Sequence, residues 1–262
     1  MRNCAAIMKK ELYTLFTSPI AYIVLAGFFA MTGFFFYIIT TNIIARVLQQ
    51  SSQAQQFGGA APALDVPALI MRNYLGVLST ILLFTVPMIT MGLLAEEKKR
   101  GTIELLFTSP VRNIQLILGK FCAVLLMLAI LLIPTVLNSL LVYLYSQPKP
   151  PLGPIVSGYL GAFLLGGTLM ALGLFVSSLT ENQIVAGFVT FVVFLFLWVI
   201  DAGVGTGTTA LNEIARYLSV LNHYDDFTKG VIDTQNLVFY LSFIFLGLFL
   251  TSVSLDSAKW RQ

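Results

Sequence analysis

The chain has 262 residues, of which 57% are apolar and only 10% are charged, and its net charge is +3. Soluble folds carry about 25% charged residues because their surface must be solvated. With a mean hydropathy of +0.87, the composition excludes a soluble domain, a disordered chain, a nucleic-acid-binding protein and a secreted disulfide scaffold, and it predicts an all-α, polytopic membrane protein.

The N-terminal segment precedes the first apolar stretch. One helical face of this segment is roughly apolar and consists of Ile7, Leu12, Leu15 and Phe16. Lys9 and Lys10 lie elsewhere on the helix. This pattern predicts an amphipathic helix along the membrane surface. The alternative is a basic leader that only sets the topology.

Six stretches between charged residues are long enough to cross a bilayer, which takes about 20 apolar residues. Their predicted bounds are Pro19 to Thr40, Tyr74 to Ala95, Phe121 to Tyr145, Ile155 to Leu179, Ile184 to Ile200 and Leu237 to Leu255. An even number of spans places both termini on one side. That side then holds ten of the fifteen Lys and Arg residues and the other side five. Because basic loops stay inside, both termini are predicted to be cytoplasmic.

The middle of each span lacks ionisable residues. Ion-coupled carriers, proton pumps and intramembrane hydrolases need such groups at depth, so the chain is expected to have no catalytic residues and no energy source of its own. Pro87 and Pro134 predict helix kinks, and Asn138 predicts an interhelical hydrogen bond. Two cysteines and one histidine are too few for a metal centre, and no metal or cofactor is expected.

Small residues recur every four positions in the fourth span, at Gly158, Ala162 and Gly166. This spacing lets helix backbones approach closely. It predicts packing within the bundle or across a dimer.

The loop after the second span carries both signs of charge. Glu96 and Glu97 are followed at once by Lys98, Lys99 and Arg100. After Gly101, a short helix can begin at Thr102, and Ser109-Pro110 would end it. Its apolar stripe consists of Ile103, Leu106 and Phe107, and Glu104 stays polar. A second helix is predicted from about Asn113 into the third span, with Lys120 snorkelling to the interface.

Two interpretations of this loop stay open. A basic cluster that sets topology, with a helix lying on the surface, explains the charges alone. A helix that docks into a soluble protein explains the cap, the proline stop and the mixed charge together.

The outer loops are less informative. The segment from Thr41 to Asn73 is polar and glycine-rich, which predicts a mobile loop. In the loop from Asp201 to Asn236, an apolar stripe predicts a short helix on or in the outer interface. The stripe consists of Leu211, Ile214, Leu218 and Leu221. The polar residues Asn222 to Asp226 favour a capping and turn role over a metal site.

Four motifs together resemble the type-2 (ABC-2) permeases of ATP-binding-cassette transporters. They are E-E-K-x-x-G-T-I-E-L-L-x-T-S-P-V with L-G-K at Leu118 to Lys120, K-K-E-L with F-x-S-P ending at Pro19, S-S-L-T-E-N-Q-I at Ser177 to Ile184, and N-H-Y-D-D-F-T-K-G-V-I-D at Asn222 to Asp233. The resemblance covers nearly the whole chain and is closest to the branch of gliding-motility and nitrous-oxide-reductase-maturation permeases.

The resemblance implies one ABC-2-type transmembrane domain over residues 1–262, with a cytoplasmic coupling helix and external re-entrant helices before the last span. The coupling region would comprise Glu96, Glu97, Lys98, Lys99, Arg100, Gly101, Thr102, Ile103, Glu104, Leu106, Phe107, Ser109 and Pro110. The implied partners are two ABC ATPase subunits and a second copy or a related permease, within the lipid of the inner membrane. ATP and Mg would sit on the ATPase, because the sequence has no Walker motif.

The sequence therefore predicts the permease subunit of an ABC-type exporter, moved by ATP hydrolysis on a separate chain. Two rival functions stay open. One is a self-sufficient channel or secondary carrier, against which the uncharged spans argue. The other is a non-transporting anchor or mechanotransmission subunit, which would need the same coupling loop.

Overall fold

The computed structural model describes residues 2–56, 65–102, 112–200 and 217–259, and the regular structure in these ranges is all helical. The helices are α1 (Arg2–Thr17), α2 (Pro19–Gln56), α3 (Val66–Thr90), α4 (Ala95–Lys99), α5 (Asn113–Tyr145), α6 (Leu152–Leu179), α7 (Gln183–Val199), α8 (Val220–Thr228) and α9 (Thr234–Lys259). The all-α prediction is confirmed for this part of the chain.

Five helical segments within these ranges are long and apolar enough to cross a membrane. They are Pro19–Gln56, Val66–Lys99, Asn113–Tyr145, Leu152–Leu179 and Thr234–Ser257. The remaining predicted span corresponds to α7, an apolar helix of 17 residues. At 1.5 Å per residue α7 is about 26 Å long, slightly less than the hydrocarbon core of about 30 Å. The protein is therefore a multi-pass membrane protein, and its sixth crossing stays a prediction.

The centre of the bundle is formed by α3, α5 and α6. In the most apolar part of each of these helices, 61–72% of the residues are buried. By contrast, only 17% of the residues in the apolar part of α2 are buried, and 22% of those in the apolar part of α9. Glycines allow the closest approaches. A Cβ at Gly247 of α9 would lie 2.8 Å from the carbonyl carbon of Ala171 in α6, nearer than real Cβ contacts. The two backbones can therefore touch only because this position has no side chain.

Two helices extend into the segment that the sequence predicts to be a mobile loop from Thr41 to Asn73. Helix α2 continues to Gln56, and α3 begins at Val66 with the Asp65 carboxylate accepting a hydrogen bond from a backbone amide of the first turn. That prediction is wrong for these two parts. The reason is local packing, because Ile43 of α2 and Met71 and Tyr74 of α3 belong to one buried apolar cluster.

Helix α3 ends before the predicted boundary of its span. It stops at Thr90, and a turn separates it from the short helix α4. The prediction for the next segment is confirmed, because α5 begins at Asn113 and runs through to Tyr145. Pro87 and Pro134 both lie inside helices, as tolerated where neighbouring helices cover the freed backbone groups.

Candidate functional site

The predicted coupling region is described from Glu96 to Thr102. The remaining predicted residues, Ile103, Glu104, Leu106, Phe107, Ser109 and Pro110, lie outside the described residues. The described part contains α4, which places two glutamates in its first turn and two lysines in its last. This order of charges suits the helix dipole. Gly101 follows with φ of +68°, a backbone conformation that favours glycine.

The Lys120 cluster, which consists of Glu11, Glu97 and Lys120, joins this region to two other helices. The Lys120 side chain is 1% exposed, and its Nζ lies 2.9 Å from Glu11 Oε1 and 3.0 Å from Glu97 Oε1. It also donates a hydrogen bond of 2.8 Å to the carbonyl oxygen of Leu93. One ammonium group thus connects α1, α5 and the α3–α4 junction.

The prediction that Lys120 snorkels to the interface is wrong. The ammonium group stays buried because two carboxylates and a carbonyl oxygen replace its hydration shell. The sequence contains a signal for this pairing. Glu11 lies four residues from both Ile7 and Leu15, on the apolar face of α1, and Lys120 lies four residues before the buried Val124. Opposite charges on two apolar faces indicate a buried ion pair.

A second set of bonds fixes the start of α4 against the end of α6. The Ser177 hydroxyl accepts hydrogen bonds of 3.1 Å from the amides of Leu94 and Ala95, and it donates one of 3.0 Å to the Met91 carbonyl. The Lys98 ammonium donates to the Ser178 carbonyl oxygen. These bonds satisfy backbone groups that a helix start leaves unpaired, and they make α4 a rigid extension of the bundle.

The remaining charges of the region face outwards. Lys99 is exposed. The Arg100 side chain is 70% exposed and lies 2.5 Å from Glu96, and the Lys10 side chain is 60% exposed and lies 3.5 Å from Glu97. The region therefore has exposed charges on its surface, and the buried ion pairs of the Lys120 cluster lie beneath them.

A different charge cluster, the Asp225 cluster, lies at the other end of α3. It consists of Arg72, Asp225, Asp226 and Lys229. Asp225 lies 3.2 Å from the Arg72 guanidinium and 2.6 Å from the Lys229 ammonium. Partial burial raises the pKa of Asp225, but the hydrogen bonds and charges of Lys229 and Arg72 outweigh it, so the pKa lies below its usual value. The same bond to Asp225 raises the pKa of Lys229.

Helix α8 covers the segment predicted to have a capping and turn role, and that prediction is wrong for Tyr224. Tyr224 is 2% exposed, and its hydroxyl donates to the Leu75 carbonyl oxygen at 3.2 Å and to that of Gly158 at 3.3 Å. Phe227 is fully buried, against Gly161. This apolar face is hard to predict from the sequence. It consists of only two aromatic residues, Tyr224 and Phe227, which stand three positions apart among polar residues.

His223 lies beside this face with both ring nitrogens in contact with the protein. Nδ1 lies 2.7 Å from Asn236 Oδ1, and Nε2 lies 3.0 Å from the Tyr217 carbonyl oxygen. Among the described residues, no group of three or more His, Cys, Asp and Glu side chains is placed to hold a metal ion.

The small residues of the fourth predicted span face other helices of this chain. A Cβ at Gly158 would lie 2.4 Å from Leu75, and one at Gly166 would lie 2.6 Å from Leu128. Ala162 between them is fully buried. The predicted interhelical hydrogen bond of Asn138 is confirmed, since its amide donates to the Tyr74 hydroxyl at 2.9 Å.

The fold and the two charge clusters define a multi-pass helical membrane protein with a charged surface segment fixed to its central helices. Comparison with known families supplies the particular group. Residues 5–255 match the family described as ABC-2 family transporter protein, and the chain belongs to this family. No curated protein matches the chain.

Proposed function

We propose that this chain is the membrane subunit of an ABC exporter, in which separate ATPase subunits bind ATP and Mg and this chain has no catalytic residues. Family membership supports a permease subunit with an ABC ATPase partner in general. The ATPase binds the region from Glu96 to Pro110, and a second permease copy or a related permease completes the transporter. Both termini are cytoplasmic in the inner membrane, consistent with the ten basic residues on that side.

The observation that carries the proposal is the buried contact of Lys120 with Glu97 and Glu11. A force applied to the surface segment reaches α5 and α1 through this cluster, and it reaches α6 through Ser177 and Lys98. Packed helices transmit displacements as rigid elements, because the interior has little free volume. Closure of the ATPase dimer therefore moves the central helices together and changes access to the substrate path.

The proposal is tested by isolating the chain with its partners from native membranes and measuring ATP hydrolysis in lipid. Lys99 and Lys149 are both exposed and lie at opposite ends of the bundle. We expect Lys99→Glu to weaken ATPase binding and to reduce the ATP hydrolysis that the permease stimulates. The matched control Lys149→Glu leaves both unchanged.

Three results have different consequences. Loss of ATPase binding in Lys149→Glu but not in Lys99→Glu overturns the assignment of the coupling region. Solute transport by the chain alone, driven by an ion gradient, establishes the carrier function instead. Normal coupling with ATP-driven motion of a bound partner and no transported substrate establishes the mechanotransmission function.

A further inference from the structure

A cavity of about 390 Å³ opens beside the Lys120 cluster. It lies between α1, the start of α2, the end of α3, α4, α5 and the first residue of α7. Its volume is within the range of about 300–1,000 Å³ found for small-molecule sites. Coupling to an ATPase requires no such space, so the cavity needs an explanation of its own.

The lining of the cavity is charged on one side and apolar on the other. Arg100 and Lys120 line one part, and Val24, Met88 and Met127 line another. Met127 is seven residues beyond Lys120, so the apolar part extends about 10 Å further along α5. A ligand that fills both parts must have a polar head and an apolar chain.

The charges that line the cavity cancel. Three are positive and three are negative: Lys10, Arg100 and Lys120 against Glu11, Glu96 and Glu97. A neutral ring of charges attracts neither an anion nor a cation strongly at long range. It suits a head group that carries both charges, because each charge then faces an opposite one.

One oxygen in this ring lacks a partner. Glu97 Oε1 is bound by lysine, whereas Glu97 Oε2 is buried without a hydrogen bond in the part of the chain that the structure describes. A buried carboxylate oxygen is stabilised by a hydrogen-bond donor. The exposed guanidinium of Arg100 has five N–H donors, a geometry that suits phosphate.

The cavity is open on its apolar side. Ile20 of α2 and Met88 of α3 both line it, and they are 49% and 48% exposed. A lipid in the leaflet next to Lys10 and Arg100 could therefore place one acyl chain beside Met88 without crossing the bundle.

We propose that this cavity binds a phospholipid whose head group carries a primary ammonium. The carboxylate of Glu97 turns from its buried position so that Oε2 faces the cavity and accepts from the ammonium. The phosphate contacts Arg100, and the upper part of an acyl chain lies between Met88 and Met127. The proposal deepens the proposed function by naming the chemical class that occupies this end of the transporter. It does not require an ATPase, so its test can fail independently.

The experiment measures lipid retention by the full-length chain in detergent, using native mass spectrometry. The probes are phosphatidylethanolamine and phosphatidylcholine with identical acyl chains, because the quaternary ammonium of the second has no N–H. We expect phosphatidylethanolamine to be retained about tenfold more strongly, the ratio that a single charge-assisted hydrogen bond supports.

Two variants locate the site. Glu97→Gln keeps an oxygen for Lys120 but replaces the free acceptor with a donor, so the retention ratio should fall towards one. Met88→Trp fills the cavity and should remove phosphatidylethanolamine. Met31→Trp is the matched control, because Met31 is also 48% exposed but does not line the cavity. Thermal unfolding of each variant establishes that it is folded.

Equal retention of the two lipids by the unmodified chain overturns the proposal. Equal loss in Met31→Trp and Met88→Trp also overturns it, because the binding would then be general lipid contact. Retention of glycerophosphoethanolamine as strongly as the whole lipid contradicts the apolar half of the site. Loss of self-association in Met88→Trp with unchanged lipid retention assigns the cavity to an interface between two copies.

Discussion

Lys120 is a cation held out of water between two carboxylates. Such a pair gains little over an apolar pair of the same shape, since the cost of removing the charges from water offsets their attraction. Removing Lys120 alone is costly, because Glu11 and Glu97 then keep, among the described residues, only the exposed Lys10, at 3.7 and 3.5 Å, as a cationic partner. The Glu11 residue is 7% exposed, so water cannot easily replace the missing partner.

We therefore expect Lys120→Met to lower the free energy of unfolding by about 3–5 kcal/mol. Chemical denaturation in detergent provides the measurement. Lys99→Met removes an exposed lysine from the same region and should change the free energy by no more than about 0.5 kcal/mol. Adding Glu11→Gln and Glu97→Gln to Lys120→Met should restore most of the loss. No recovery in this triple variant would contradict the ionic explanation.

At the level of elements, α8 is a short helix fastened to its neighbours by side chains. Tyr240 of α9 donates a hydrogen bond of 2.8 Å to the Val220 carbonyl oxygen, and the Ser157 hydroxyl of α6 donates one of 2.7 Å to that of Phe227. The Asp225 cluster adds the connection to α3 through Arg72. A helix of nine residues is not stable alone, so these contacts determine its position.

The pKa directions of the Asp225 cluster predict how this attachment depends on pH. The pKa of Asp225 is lowered in the folded protein, so its contribution is present above the unfolded value of about 3.9 and is lost as pH falls through the folded value. Asp225→Asn should therefore lower the Tm by a constant amount from pH 7 to about pH 5, and by less near pH 3.

The control for this prediction is Asp233→Asn. Asp233 accepts a hydrogen bond of 3.0 Å from the Gln235 amide, an acceptor role that asparagine keeps. Its Tm difference should be small at every pH. A Tm difference for Asp225→Asn that grows as the pH falls would mean that the ion pairs do not stabilise α8.

The apolar stretches of the sequence are sufficient to predict the long helices, since a run such as Phe121 to Tyr145 has no other stable form in a bilayer. The contacts between distant charges are harder to predict. Glu11 and Lys120 are 109 positions apart, and only the packing of α1 on α5 brings them together. The continuation of α2 beyond Thr40 is hard to predict for a similar reason, because the support for it is the packing of Ile43 against α3.

At the scale of the whole molecule, the crossing of α7 decides whether the described part of the chain has five or six spans. If α7 crosses, Glu181 lies on the same side as Lys99, and Lys229 lies on the same side as Lys149. We expect single cysteines at these four positions, in a background without Cys4 and Cys122, to react with a membrane-impermeant maleimide in those two pairs. Labelling of the Glu181 and Lys229 positions from one side would show that α7 does not cross.

Helix α2 has 38 residues and is about 57 Å long, whereas the hydrocarbon core is about 30 Å thick. Its final turns therefore extend beyond the lipid tails, at the end of the helix away from Pro19. A rotation of only ~10° about that point would carry Gln56 through about 10 Å, by the geometry of a rod of this length. A small rearrangement near Lys120 that tilts α2 would thus displace Gln56 by several ångströms. A pair of spin labels, one of them at the end of α2, would measure this change in distance.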